Sequence, residues 1–196
     1  MEQFKTFLEK KFDLKGRNSP TDRDWEIISS HLRREEFSKK HTLIETGQTE
    51  RTLSFIEKGI IRFFMPKEEN DLTFNIVFEN GFLSAYDSLL TQTPSSYSIE
   101  TLTDTVLWRI DYDSLQAVYK ETNFGDFIGR LASEELFLKK QKRELSLLNH
   151  TAEQRYLNLF NEQPRLVQQI PLKYIAAYIG ITPQALSRIR KRIYSS

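Results

Sequence analysis

The 196-residue sequence contains no cysteine. That excludes disulfides, thiolate zinc sites, cysteine-ligated iron–sulfur clusters and catalytic thiols. No apolar run approaches the roughly 20 residues of a membrane-spanning helix. The N-terminal MEQFKTFLEKKFDLKG breaks its apolar residues with lysine and glutamate, unlike the core of a secretory signal. The three histidines, His31, His41 and His150, share no metal-ligand spacing, so no metal site is predicted. A Gly-rich phosphate loop, a nucleophile elbow and an HExxH helix are all missing too. Carboxylates such as Glu68-Glu69 and Asp111 with Asp113 read as solvated turn charges, so no catalytic residue is assigned and an enzyme is not expected. With 28% charged and 39% hydrophobic residues the chain is too apolar for disorder, and a cytoplasmic globular protein is predicted.

Net charge is nearly absent as well, 28 basic residues against 27 acidic, but it is unevenly spread. From Thr151 onward there are seven basic residues (Arg155, Arg165, Lys173, Arg188, Arg190, Lys191, Arg192) and two acidic ones (Glu153, Glu162). The tail is therefore +5, which leaves −4 for residues 1–150 and suggests a polyanionic partner for the tail alone.

Three textures follow one another. Residues 1–37 read as helical, with Phe4, Phe7, Leu8 and Phe12 on one face, then Ser19-Pro20-Thr21-Asp22 before a second helix carrying Trp25, Ile28 and Leu32. From His41 short β-branched and aromatic runs alternate with turns. They are 42–44, 53–56, 60–65, the alternating Leu72, Phe74, Ile76 and Phe78 with one face buried, 99–102 and 106–110. Many short strands in about 70 residues indicate an antiparallel roll or barrel. From Asp113 to Leu148 there is no proline, and Phe124, Leu131, Leu138 and Leu145 stand seven apart. Thirty-odd helical residues would span about 50 Å, and a heptad seam of that length predicts a partner helix, most simply from a second copy of the chain. Phe124 and Ile128 could instead face the roll. The predicted class is α+β, in three parts: an N-terminal antiparallel β-roll flanked by helices (1–112), a long dimerisation helix (113–149) and a C-terminal all-α module (150–196).

That module carries the most specific signal. Pro171 suits a first helical turn, and Ile175, Ala176 and Ile179 form an inner face. Gly180 stops the helix, Thr182 caps the next, and Pro183 opens it. Ala185, Leu186 and Ile189 then point inward, leaving Gln184, Ser187, Arg188 and Lys191 outward. Two short helices around a glycine turn, the second polar and basic, fit a DNA-reading helix-turn-helix. Glutamine can pair with adenine and arginine with guanine, so Gln184, Ser187 and Arg188 are the base-reading candidates. Thr182, Lys173, Arg190, Lys191 and Arg192 are the phosphate candidates. A plain helical hairpin with a basic exposed face is the competing reading of the same pattern.

The order of roll, long helix and helix-turn-helix resembles the Crp/Fnr transcription factors (cAMP receptor protein/fumarate-nitrate regulator superfamily). His41-Thr42-Leu43-Ile44-Glu45-Thr46-Gly47-Gln48 through Phe55-Ile56-Glu57-Lys58-Gly59-Ile60-Ile61-Arg62 is similar to the opening of the family's cyclic-nucleotide-binding jelly roll. Ile181 to Arg188 is similar to its recognition-helix start, with Pro183 in place of a common basic residue. The resemblance implies a homodimer on double-stranded DNA, with a near-palindromic operator and RNA polymerase as a further partner. It also implies a phosphate cassette, and here the chain departs. Ser84-Ala85 stand where Gly-Glu would be and Ser95-Ser96 where Arg-Ser would be, with no lysine or arginine between Lys67 and Arg109. A buried cyclic phosphate would lose its charge-assisted partner, so cAMP is not expected and no cofactor is assigned. The pocket either takes an unidentified small-molecule effector on Ser84, Tyr86, Ser95, Ser96 and Tyr97 or is filled by side chains. The family's β-hairpin wing is not expected either, since only Tyr194-Ser195-Ser196 remain. An effector-sensing or protein-interaction module whose helix-turn-helix no longer binds DNA is the alternative function.

Overall fold

The structure, a computed structural model, describes residues 1–68 and 70–194, and the side chains of all of these except Arg17 and Tyr194. The chain divides into two compact units, residues 1–61 with 77–136 and residues 62–76 with 137–196. The helices are α1 (Glu2–Phe12), α2 (Asp22–His31), α3 (Tyr86–Thr91), α4 (Tyr112–Glu121), α5 (Gly125–Asn149), α6 (Ala152–Glu162), α7 (Pro164–Gln169), α8 (Leu172–Tyr178) and α9 (Pro183–Tyr194). The strands are β1 (Arg33–Phe37), β2 (Thr42–Ile44), β3 (Thr52–Lys58), β4 (Ile60–Met65), β5 (Leu72–Phe78), β6 (Phe82–Leu83), β7 (Ser98–Thr101) and β8 (Thr105–Asp111). They form two four-stranded sheets, ordered β1-β8-β3-β6 and β2-β7-β4-β5, as a jelly-roll-like body.

In the first unit the two N-terminal helices close one end of the roll. Phe4, Leu8 and Phe12 recur every four residues on α1 and are buried. Phe4 and Phe7 set their rings 5.2 and 5.0 Å from Phe55 of β3. Thr21 and Asp24 form a reciprocal capping box that starts α2, and the Trp25 ring packs, tilted, 5.4 Å from that of Phe124.

Three sequence expectations change. Residues 33–37 are not helical: they form β1, antiparallel to β8 from Arg33↔Arg109 to Phe37↔Thr105. This charged edge strand is held by ion pairs, Arg34 to Glu57 at 2.9 Å and Glu35 to Arg109 at 2.8 Å. On β5 the buried positions are Thr73 and Ile76, while Leu72 is exposed. The long helix starts at Gly125, not at Asp113. Thr122 ends α4 and turns its hydroxyl to both Val118 O and the Gly125 N–H. A Cβ on Gly125 would lie 2.6 Å from the Val118 carbonyl, so the chain can turn there only with glycine. Phe124, in that break, is 1% exposed and belongs to the roll's core rather than to a helix seam. At 25 residues α5 is about 38 Å long.

In the second unit Thr151 and Gln154 form another capping box, for α6. Tyr156, Leu159, Leu166, Ile170, Ile175, Ala176, Ile179, Leu186 and Ile189 are buried together as the core of the C-terminal helices. Ser195 and Ser196, on which the expected absence of a wing falls, lie outside the described residues.

Candidate functional site

The turn between α8 and α9, where the helix-turn-helix is expected, is built by local caps. Gly180 takes φ +77, and around it the Ile181 N–H reaches Ala176 O and the Gly180 N–H reaches Ala177 O, both at 3.0 Å. This pair of bonds is a Schellman stop, which a residue with a Cβ adopts only at a cost. Two residues on, the Thr182 hydroxyl accepts the Ala185 N–H at 3.2 Å and opens α9 at Pro183. Leu186 and Ile189 are buried against the inner face of α8, where Ile175 and Ala176 are fully buried.

That packing fixes what α9 presents. Gln184, Ser187, Arg188 and Lys191 are all exposed, and their i, i+3, i+4, i+7 spacing makes them one strip. Gln184, Ser187 and Arg188 hold no side-chain partner among the described residues. The phosphate candidates differ among themselves. Arg190 is half-buried, Arg192 pairs with Glu153 of α6, and Lys173 sits 4.8 Å from the Tyr174 ring at the start of α8. An exposed pair such as Arg192–Glu153 contributes about 0–1 kcal/mol, little against a phosphate.

Along α5 the heptad positions part company. Leu131 is half-buried against the roll's core, but Leu138 and Leu145 are 62% and 50% exposed. They line a groove of about 470 Å³ with Lys142, Ser146, Asn158 and Glu162. Phe137 and Leu148 add further exposed apolar surface.

In the roll, the candidate effector residues are not brought together around an opening. Ser84 donates its hydroxyl to Thr52 O at 2.9 Å, and Ser95 donates to Tyr97 O at 2.8 Å. Tyr97 is buried and bonds Asp87, and burial together with that carboxylate pushes its phenol well up. Ser96 faces solvent. Of the five, Tyr86 is the one that lines a depression. Its hydroxyl lies 3.1 Å from Ser133 of α5, beside a shallow depression of about 200 Å³ with Tyr119, Asp126, Gly129 and Arg130. Burial pushes the Tyr119 phenol up to about 12.

The sequence reading missed Glu50. Its side chain is buried, and its carboxylate accepts the Thr52 N–H at 2.9 Å, the Arg51 N–H and the Thr52 hydroxyl at 3.0 Å, and the Ala85 N–H at 3.3 Å. Glu50 therefore puts a resident negative charge at the turn that leads into α3, in the middle of the cassette segment. A lone glutamate after Gly47-Gln48-Thr49 carries no local signal of this; only the approach of residue 85, 35 positions away, makes it. Among the described residues no group of three or more histidines and carboxylates is placed to hold a metal ion, and no helix is long and apolar enough to cross a membrane.

Residues 34–122 match the family described as Cyclic nucleotide-binding domain. Among solved structures the fold is similar to a CooA mutant from Carboxydothermus hydrogenoformans (TM-score 0.70, 15% identity, 86% of this chain and 78% of that one). It is similar to FixK2 from Bradyrhizobium japonicum (0.69, 14%, 84% and 85%). It is also similar to the c-di-GMP-responsive global regulator CLP of Xanthomonas campestris (0.68, 14%, 89% and 92%). No curated protein matches the sequence. Residues 34–122 thus resemble a cyclic nucleotide-binding domain, in a chain whose fold is similar to that of these solved regulators.

Proposed function

We propose that the protein is a cytoplasmic, homodimeric DNA-binding transcription regulator of Crp/Fnr type. The observation that carries the reading is the exposed strip on α9: Gln184, Ser187 and Arg188 lie outward on a helix whose opposite face is locked into a core, in the part of the chain that holds the positive charge. Gln184 and Arg188 read base edges, and Thr182, Lys173, Arg190, Lys191 and Arg192 meet phosphates. Leu138 and Leu145 close the dimer along α5, which sets two half-sites about one DNA turn apart on a near-palindromic operator, with RNA polymerase as the next partner.

The roll does not answer to cAMP in this reading. A cyclic phosphate would find no cation in the cassette and would meet the buried carboxylate of Glu50. A small-molecule effector, where one acts, docks at the depression beside Tyr86 and Ser133 rather than on Ser84, Ser95 or Tyr97, whose hydroxyls are already engaged.

Selection of random duplex DNA by the purified protein, without ligand and at one moderate salt concentration, tests the first part. Enrichment of a near-palindrome supports the regulator; a flat result favours an interaction module that no longer reads DNA. Titration calorimetry tests the second, and micromolar affinity for cAMP overturns it.

A further inference from the structure

The first helix of the helix-turn-helix has few means of holding itself. With seven residues α8 is too short to be stable alone, and no side chain caps its start. It carries Tyr174 and Tyr178 one turn apart, and each ring meets an arginine from a different element. Arg143 of α5 lies 4.3 Å from the Tyr178 centroid. Arg62 of β4 lies 4.7 Å from the Tyr174 centroid and 3.8 Å from that of Phe64, with Asp71 bonded to its guanidinium at 2.8 Å. The Arg62 side chain is only 6% exposed. Residues 62–76 of β4 and β5 belong to the same compact unit as α8, although they are strands of the roll by sequence.

Burying a cation there is costly, and an aliphatic chain of similar volume would fill the space without desolvating a charge. What arginine adds is a rigid plane, held by Asp71 and Phe64 and met also by the Tyr174 ring. We propose that the Arg62–Tyr174 stack is a positioning contact through which the β4–β5 strands set the placement of α8, and with it the presentation of α9 to DNA. The last clause rests on the DNA-binding reading above; the contact's hold on α8 does not.

The test measures amide hydrogen exchange across Leu172–Tyr178 and affinity for the selected duplex, in the full chain, for Tyr174→Phe, Tyr174→Leu and Arg62→Lys. Tyr174→Phe keeps the ring and should leave both readouts as in the parent. Tyr174→Leu keeps an apolar side chain but no π face. It should speed exchange in α8 by about three- to thirtyfold and weaken DNA binding by a similar factor. Arg62→Lys, which keeps the charge without the plane, should follow it; if that variant does not fold, the two Tyr174 variants decide. Unchanged α8 exchange in Tyr174→Leu overturns the proposal, as does equal loss in Tyr174→Phe. Faster exchange with unchanged DNA affinity overturns the positioning role. If the parent selects no duplex but α8 loosens in Tyr174→Leu alone, the contact's hold on α8 stands and the DNA reading falls.

Discussion

The cassette segment of the roll and the outer face of α9 are both rich in small polar residues, yet they spend them differently. In the cassette, Ser84, Ser95, Tyr97 and Glu50 each bond another part of the same unit. On α9, the side chains of Gln184, Ser187 and Arg188 bond nothing among the described residues. A polar side chain paired inside its own fold contributes to stability and is withheld from a ligand, whereas one displayed unpaired on a rigid helix is available to a partner. Residue type alone does not tell the two apart. Mutations should, because cassette variants ought to move stability and leave DNA untouched, and α9 variants ought to do the reverse.

The largest effect is expected at Glu50. Glu50→Ala leaves the buried N–H of Ala85 and the part-buried N–H groups of Thr52 and Arg51 without their acceptor. Denaturant unfolding should lose about 3 kcal/mol of stability. Duplex selection by the folded fraction should return the parent's motif. A variant as stable as the parent would mean that the carboxylate is not a structural anion, and the contrast between the two regions would collapse.

Next comes Arg188→Ala, its mirror image. Unfolding should be unchanged within about 0.5 kcal/mol, as for surface positions generally. Discrimination at one base pair of each half-site should fall by about 1–3 kcal/mol, measured on duplexes varied at that position. Equal weakening on every duplex would make Arg188 a phosphate contact instead, and no change at all would return the helix to an interaction role.

How much of this could be read in the sequence depends on how local the cause was. The α8–turn–α9 pair is written in neighbours: Pro171, Gly180, Thr182 and Pro183 mark the start of α8, its stop and the start of α9, and the structure places each there. The roll's strands with apolar runs were equally legible. β1 was not, because Arg33-Arg34-Glu35-Glu36 has no apolar alternation. Its strand character comes from pairing with β8, some 70 residues on, and from ion pairs to Glu57 and Arg109. The break before α5 did leave a signal. Thr122-Asn123 before Gly125 is turn chemistry, but an unbroken heptad count ran across it and took Phe124 for a seam residue. Glu50 left none, since its bonds to Arg51 and Thr52 are ordinary turn contacts and only the fold brings its burial and the Ala85 N–H.

Thr182→Ala sharpens the contrast from between the two regions, because Thr182 is both a cap and a candidate contact. Losing its bond to the Ala185 N–H should cost about 1 kcal/mol of stability. DNA affinity should fall with it as the first turn of α9 frays, and Thr182→Ser should recover both. Stability lost without affinity would show that the first turn re-forms on DNA.

The smallest change is expected from Lys191→Ala, at the outer end of the strip. Lys191 is exposed, and in the proposed reading its charge serves a phosphate, which every sequence offers alike. Affinity should therefore drop by the same modest factor on matched and mismatched duplexes. The plot of log affinity against log salt should become shallower by about 0.9, the counterion displaced by one contact. Should the loss instead concentrate on one base pair, Lys191 reads sequence, and the base-reading surface extends to the third turn of α9. Should the salt slope stay as it was, the positive end of the helix lies away from the backbone, and the phosphate contacts must come from Lys173 and the start of α8.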